Sequence, residues 1–326
     1  MPGSFRQILR EGCRPLEPVA TDESPVLTPL TGLRAVLFDA YGTMFISGSG
    51  EVGCVDEAAS ETALGEALAA VGIKVLAPLD QGVRCFVETI EQSHAESRAL
   101  GIEHPEVDIV EVWRAVLAKM SRRGLVELPE CPETDSIDPC IVNDRGRSPV
   151  PWRNPLESRI NYAKINRLLA VEYEVRANPV WPMPDLRECL NDLRGKGLRL
   201  GIISNAQFFT PELFPALLGA DTKSWGFDPQ LLYYSYKYGR AKPGLELFNA
   251  AAEVLSAYGI GPPEVLYVGN DMLNDILPAS SVGFRTALFA GDARSLRRRQ
   301  GDGRVARIVP DLVLTRLSQL QECIIA

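Results

Sequence analysis

The run RAVLFDAYGTMF, residues 34–45, carries an apolar segment into a carboxylate, Asp39, followed at once by a turn containing Gly42 and Thr43. Three further polar clusters stand at comparable places: Ser204-Asn205 behind LGII, Lys242 ahead of LELFNAAAE, and Asn270-Asp271 with Asp275 behind VLYVG. A carboxylate so placed can attack phosphorus or carbon, forming an ester that water then hydrolyses, which divides one hard step into two. A nearby lysine and a metal ion would stabilise the oxyanionic charge. Backbone amides of the Tyr41-Gly42 turn could cradle a phosphate, with Thr43 holding the turn and Asp39 by hydrogen bonds. Taken alone, Asp39 reads first as a turn residue that satisfies backbone donors. The conjunction of the four clusters argues for chemistry. Only His94 and His104 are present, so a histidine triad or multi-histidine metal site lacks material, and carboxylates, lysine and hydroxyls must carry any catalysis.

Bringing four distant clusters together requires a particular scaffold. Residues 34–39 have the β-branched and aromatic content of a buried parallel strand, and LRLGIISN, EVLYVGND and FRTALFAG repeat that character, with LLYYS a further strand candidate. Helical patterns alternate with them: Leu186, Cys189, Leu190 and Leu193 form one stripe, and GLELFNAAAEVLSAYG is a helix closed by Gly259. Alternating βα units with apolar strands specify a parallel sheet covered by helices, and ligands bind at the carboxyl edge of such a sheet. All four clusters fall on that edge.

Between about Val55 and Val175 the pattern becomes helical, with Ile109, Val112, Trp113, Val116, Leu117 and Met120 on one face and no convincing strand. Within it, residues 125–155 are rich in Pro, Asp and Gly and read as a long irregular loop. The expected organisation is therefore a loose polar N-terminal arm over 1–30, a core over 31–50 and 179–326, and an inserted helical cap over 51–178. In the cap, His94, Arg98 and His104 read as solvated positions and Trp113 as part of the apolar stripe.

A net charge of −8 argues against a general nucleic-acid binder, because phosphate backbones are held by surplus Lys and Arg. The Arg-rich ARSLRRRQGDGRVAR near the end reads as a solvated loop against that acidic background. No apolar run approaches the length needed to span a bilayer, and residues 1–30 lack the continuous apolar core of a signal peptide. A soluble cytoplasmic protein with a small, anionic substrate is the expectation. Seven scattered cysteines without a C-x-x-C pair disfavour a disulfide framework or zinc site and read as reduced thiols.

The four clusters, in this order, resemble the four motifs of the haloacid dehalogenase superfamily, over residues 34–48 and 180–292. The resemblance implies an α/β, Rossmann-like three-layer core with a mobile helical cap inserted after the first motif. It implies Asp39 as the nucleophile, Ser204 and Asn205 as ligands of the transferred group, Lys242 as the charge-offsetting cation, and Tyr41 and Gly42 as parts of the substrate loop. It also implies Mg²⁺ held by Asp39, the carbonyl of Tyr41 and the Asn270, Asp271, Asp275 motif. The phosphatase branch usually places a second Asp two residues after the nucleophile as general acid and base; here that position is Tyr41, and a phenol of pKa about 10 is a poor proton shuttle near neutrality. Glu51 and Asp56 at the cap entrance are candidates to replace that acid.

The DAYGT form is similar instead to the 2-haloacid dehalogenases, whose halide leaving group needs no acid. That branch, however, carries an Arg in the early cap where EALAAVGIK has none, and a Tyr shortly beyond the Lys where this chain has Phe248. It also generally lacks the acidic metal motif. The resemblance thus implies a hydrolase acting through an aspartyl ester: a Mg²⁺-dependent phosphate or phosphonate ester hydrolase first, a metal-independent 2-haloacid dehalogenase second. A catalytically weak binding or interaction module on the same fold is the third alternative.

Overall fold

The computed structural model of the chain describes residues 4–49, 57–129 and 163–325. Glu51, Asp56 and most of the irregular loop expected over 125–155 lie outside the described residues. The core is a six-stranded, wholly parallel sheet. Its strands are β1 (Ala35–Phe38), β2 (Arg199–Ser204), β3 (Phe227–Tyr234), β4 (Val265–Gly269), β5 (Arg285–Phe289) and β6 (Leu312–Leu314), in the spatial order β3-β2-β1-β4-β5-β6.

The order reverses direction beside β1, and the connections after β1 and β4 leave on either side of that point, opening a crevice at the carboxyl ends. Phe38 pairs with Ile202 on one side and Val268 on the other, so Asp39, Ser204 and Asn270 leave the sheet along one edge. Each residue of β1 is fully buried because both faces of the strand are covered. Val36 and Phe38 join the cluster that contains Leu186, Cys189, Leu190 and Leu193 of the helix Leu186–Gly195. Ala35 and Leu37 join the opposite cluster, with Leu247, Phe248, Ala251 and Leu255 of the helix Glu246–Ala257. Alternate side chains thus serve alternate layers, as strand geometry requires.

Four helices form the described part of the insertion: α2 (Glu57–Ala70), α3 (Asp80–Ala99), α4 (Ile109–Arg122) and α5 (Ala163–Ala177). The expected stripe on α4 is buried, from Val112 through Met120. The chain enters and leaves through an antiparallel ribbon pairing Phe45–Ser47 with Val180–Pro182, so the cap is mounted on two adjacent strands. A strand pair, Lys74–Val75 with Val126–Glu127, corrects the expectation that the insertion contains no strand. Two-residue strands leave too little alternation to be legible in sequence.

The N-terminal segment is also not the loose arm expected. Helix α1 (Phe5–Gly12) buries Ile8 and Leu9 against α5 and the wide turn Phe214–Leu218, touching cap and core together. Farther on, Leu30–Thr31 pairs in parallel with Ile324–Ile325, and Val26 bridges Val313. The polar residues of this arm had hidden a short amphipathic helix. The cysteines among the described residues, Cys13, Cys85, Cys189 and Cys323, are free and buried. Among the described residues no helix is long and apolar enough to cross a membrane.

Candidate active site

Asp39 emerges from β1 at the bottom of a hollow of about 160 Å³. Lys242 reaches it from the loop before the helix Glu246–Ala257, donating to Asp39 Oδ1 at 2.8 Å, to Asp275 Oδ1 at 2.5 Å and to the Tyr267 hydroxyl at 3.2 Å. An ammonium has three donors, so this one is saturated. Burial by itself would lower the Lys242 pKa, but Asp275 and Asp39 together outweigh it and the net displacement is upward. Burial pushes the Asp275 carboxyl up to about 7 against the pull of Lys242. The other oxygen of Asp39, Oδ2, has no partner among the described residues and is the atom left for reaction.

The clamp is itself clamped. The Asn205 side chain accepts from the Lys242 amide at 2.8 Å and donates to the Lys242 carbonyl at 3.2 Å, which fastens the lysine to the end of β2. Asn205, expected to bind substrate, lines the hollow but spends its amide on positioning Lys242. Ser204 is fully buried, its hydroxyl turned toward the Asn205 carbonyl at 3.4 Å, and it does not line the hollow. Thr43, expected to hold Asp39, instead donates to Asn270 Oδ1 at 3.1 Å. Of the turn amides, Gly42 N–H is committed to the Phe45 carbonyl at 2.7 Å, whereas that of Tyr41 makes no bond among the described residues and remains for an anion. Gly42 has a φ of +79°, and a Cβ there would lie 2.6 Å from Ser295 Cβ and 2.7 Å from Asn270 Nδ2. Its lack of a side chain is what lets the Asn270 side chain approach the turn.

The acidic motif is tied into the fold by hydrogen bonds. Asp271 takes a bidentate pair from Arg299, at 3.1 and 2.7 Å, and caps the following turn by accepting from the amides of Leu273 and Asn274. Asp275 accepts from Lys242, Tyr267 and the Asp271 amide. Gly269 permits this, since a Cβ there would collide with the Asp275 side chain. No group of three or more acidic, histidine or cysteine side chains among the described residues is placed to hold a metal. In this arrangement the Asp271 carboxylate is engaged by Arg299 and the turn, and that of Asp275 by Lys242 and Tyr267. Mg²⁺ prefers oxygen ligands, usually one or two carboxylates with retained waters. The Asp39 carboxylate, the Tyr41 carbonyl, which accepts no hydrogen bond among the described residues, and the Asn270 amide oxygen make a donor set of that kind.

Tyr41 lines the hollow with its hydroxyl 2.9 Å from Thr210 Oγ1, and burial, with the nearby Glu174, raises its pKa well above the usual phenol range. It cannot shuttle protons near neutrality. Two residues of the site were not anticipated. Tyr267, inside VLYVG, offers its hydroxyl to Lys242, with Phe248 edge-on against its ring at 4.9 Å. Arg297 comes from the Arg-rich stretch expected to be solvated, and lines the hollow beside Asp271. Its guanidinium donates to the carbonyls of Arg294 and Leu296, at 2.7 and 3.1 Å. An Arg at this register had no local sequence signal. His94 lines the cap cavity and the His104 imidazole lies 3.7 Å from Glu103, and neither lines Asp39's hollow.

Residues 33–283 match the family model described as haloacid dehalogenase-like hydrolase. A glyceraldehyde 3-phosphate phosphatase of Methanothermobacter thermautotrophicus is 31% identical over 117 residues, covering 36% of this chain and 48% of that protein. The chain thus aligns with about half the length of that curated relative. Among solved structures, a 2-haloacid dehalogenase from Pseudomonas syringae pv. Tomato DC3000 superposes with a TM-score of 0.51 at 18% identity, covering 89% of this chain and 97% of that one. A HAD phosphatase from Thermococcus onnurineus gives 0.45 at 17% identity, with coverage of 89% and 97%. At such identities the structural likeness is one of fold.

Proposed function

The chain belongs to the haloacid dehalogenase-like hydrolases, and from that premise we propose that it hydrolyses a small phosphate ester through a covalent intermediate on Asp39, with Mg²⁺ as cofactor. One observation carries the choice of phosphate: every side chain lining the Asp39 hollow is polar or charged, with Lys242 and Arg297 among them and no aliphatic wall for the carbon chain of a haloacid. The partial match to a phosphatase supports the same choice.

Asp39 Oδ2 attacks phosphorus as the bond to the leaving oxygen breaks, and Lys242, fixed on Oδ1, orients the attacking carboxylate. The Tyr41 amide and the Arg297 side chain receive the phosphoryl oxygens. Water then cleaves the acyl phosphate and regenerates Asp39. The Asp39 carboxylate, the Tyr41 carbonyl and Asn270 would hold Mg²⁺, which would supply charge neutralisation to the phosphoryl group. With Tyr41 unable to donate a proton, esters whose leaving oxygen needs little protonation should turn over fastest.

That same lack of an acid favours the second reading, a 2-haloacid dehalogenase. A turnover screen of phosphate esters and 2-haloacids, each with Mg²⁺ and with a chelator, separates them. Chelator-sensitive release of phosphate is expected; chelator-resistant release of halide would replace the first reading by the second.

A further inference from the structure

A second hollow, of about 520 Å³, lies within the cap. Its wall is mainly apolar, with Phe86 and Ile90 from α3, Trp113 from α4, Tyr173 and Glu174 from α5, and Gln207 closing the side toward the core. The rings of Phe86, Trp113 and Tyr173 pack as one cluster with centroids 4.6 to 5.3 Å apart.

One feature distinguishes this space from a dry packing void, which needs no polar wall. The Glu174 carboxyl has one hydrogen bond among the described residues, from Asn178 Nδ2 at 3.1 Å, and burial raises its pKa to about 7. The wall therefore holds one under-used acceptor. Charge decides the sign of the complement. Glu106 and Glu88 also line the cavity; Arg84 is turned to Asp80 at 3.5 Å, and burial lowers the His94 pKa toward the neutral imidazole. Glu106 is already engaged by Ser235 and the Val107 amide, and Glu88 lies 3.7 Å from Arg123, which leaves Glu174 for a visitor. A cation beside aromatic faces gains from the ring quadrupole as well.

The cavity adjoins the Asp39 hollow. Asn178 lines it and accepts from Ser47 Oγ at 2.7 Å, while Ser47 lines the other side. We propose that the cap cavity binds the organic portion of the substrate, an apolar amino alcohol whose ammonium meets Glu174. The assignment rests on the phosphate-ester reading for its role in turnover, but not for binding.

Calorimetric titration of the full chain with phenylethanolamine, and with hydrocinnamate as the anionic counterpart of like shape, tests it. Phenylethanolamine should bind at least about tenfold more tightly, and Glu174→Gln should weaken it by about tenfold. Ala170→Phe, which fills the cavity, should abolish binding. Equal or tighter binding of hydrocinnamate, no saturable binding of phenylethanolamine, or an unchanged affinity in a folded Glu174→Gln protein overturns the inference. Turnover of glycerol phosphate without phenylethanolamine binding overturns it and leaves the hydrolase reading standing. Binding without turnover of any ester sinks the hydrolase reading and supports this chemistry of the cavity.

Discussion

Glu174→Gln should make the protein more stable, and only above mildly acidic pH. The ordinary carboxyl value is 4.5, and burial inside the cap moves Glu174 to about 7, with Asn178 pulling it back only in part. The folded chain therefore keeps a proton that the unfolded chain has released across the window between those values. Stability contributed by the protonated form is fully present below pH 4.5, declines as pH rises through the window and levels off above about 7. At ~1.36 kcal/mol per pH unit, that window corresponds to a ceiling of roughly 3 kcal/mol. Glutamine has the same shape, carries no charge and retains an oxygen for Asn178, so it removes the cost without opening a void. Urea unfolding of wild type and variant at about pH 5 and about pH 8 should give nearly equal midpoints at the lower pH and a higher midpoint for the variant at the upper, with unchanged slopes. A difference that is constant with pH, or larger at the acidic end, would refute the claim that Glu174 is buried and ionised with difficulty. A more stable variant that loses amine affinity would show a site held at the expense of stability.

Asp39→Asn should lower turnover by several orders of magnitude while the far-ultraviolet circular dichroism is unchanged, because only charge and nucleophilicity are lost. Lys242→Met leaves Asp39 and Asp275 facing each other with no buried cation; it should cost about 3–5 kcal/mol in chemical denaturation and abolish turnover. Asp271→Asn should leave Mg²⁺ affinity by calorimetry within about threefold, since its carboxylate belongs to Arg299 and the turn cap; a loss of about a hundredfold would restore it as a ligand. Tyr41→Asp supplies the missing acid and should raise kcat for alkyl phosphates more than for aryl phosphates, at a stability cost on the order of 1 kcal/mol from the lost Thr210 bond.

The motif residues were legible because each follows a local pattern: an apolar strand, then a polar residue at its carboxyl end. Strand periodicity and turn chemistry are short-range, so RAVLFD, LGIIS and VLYVG declared their edge of the sheet without reference to one another. The order in which they occur, with a helical insertion behind the first, was enough to place Asp39 and Lys242 in one crevice, 2.8 Å apart. What each polar group does there was not legible. Asn205 and Ser204 are adjacent in sequence, yet one binds the Lys242 backbone and the other is turned inside. Asp271 and Asp275 look alike in GNDMLND, and one takes Arg299 while the other takes Lys242.

Those pairings join residues from 28 to 37 positions apart, and the Asp39–Lys242 pair joins residues 203 apart, so no window of sequence contains them. Sequence by itself determined the parallel core, the inserted cap and the carboxylate at the end of β1, because apolar periodicity and composition suffice for those. Tertiary structure alone decided which carboxylate keeps a free oxygen, brought Tyr267 and Arg297 into the site, and ordered the polar N-terminal arm into a helix across cap and core. The reason is that burial removes water as a partner: each enclosed charge must then be satisfied by whichever donor the packing of distant segments brings within reach.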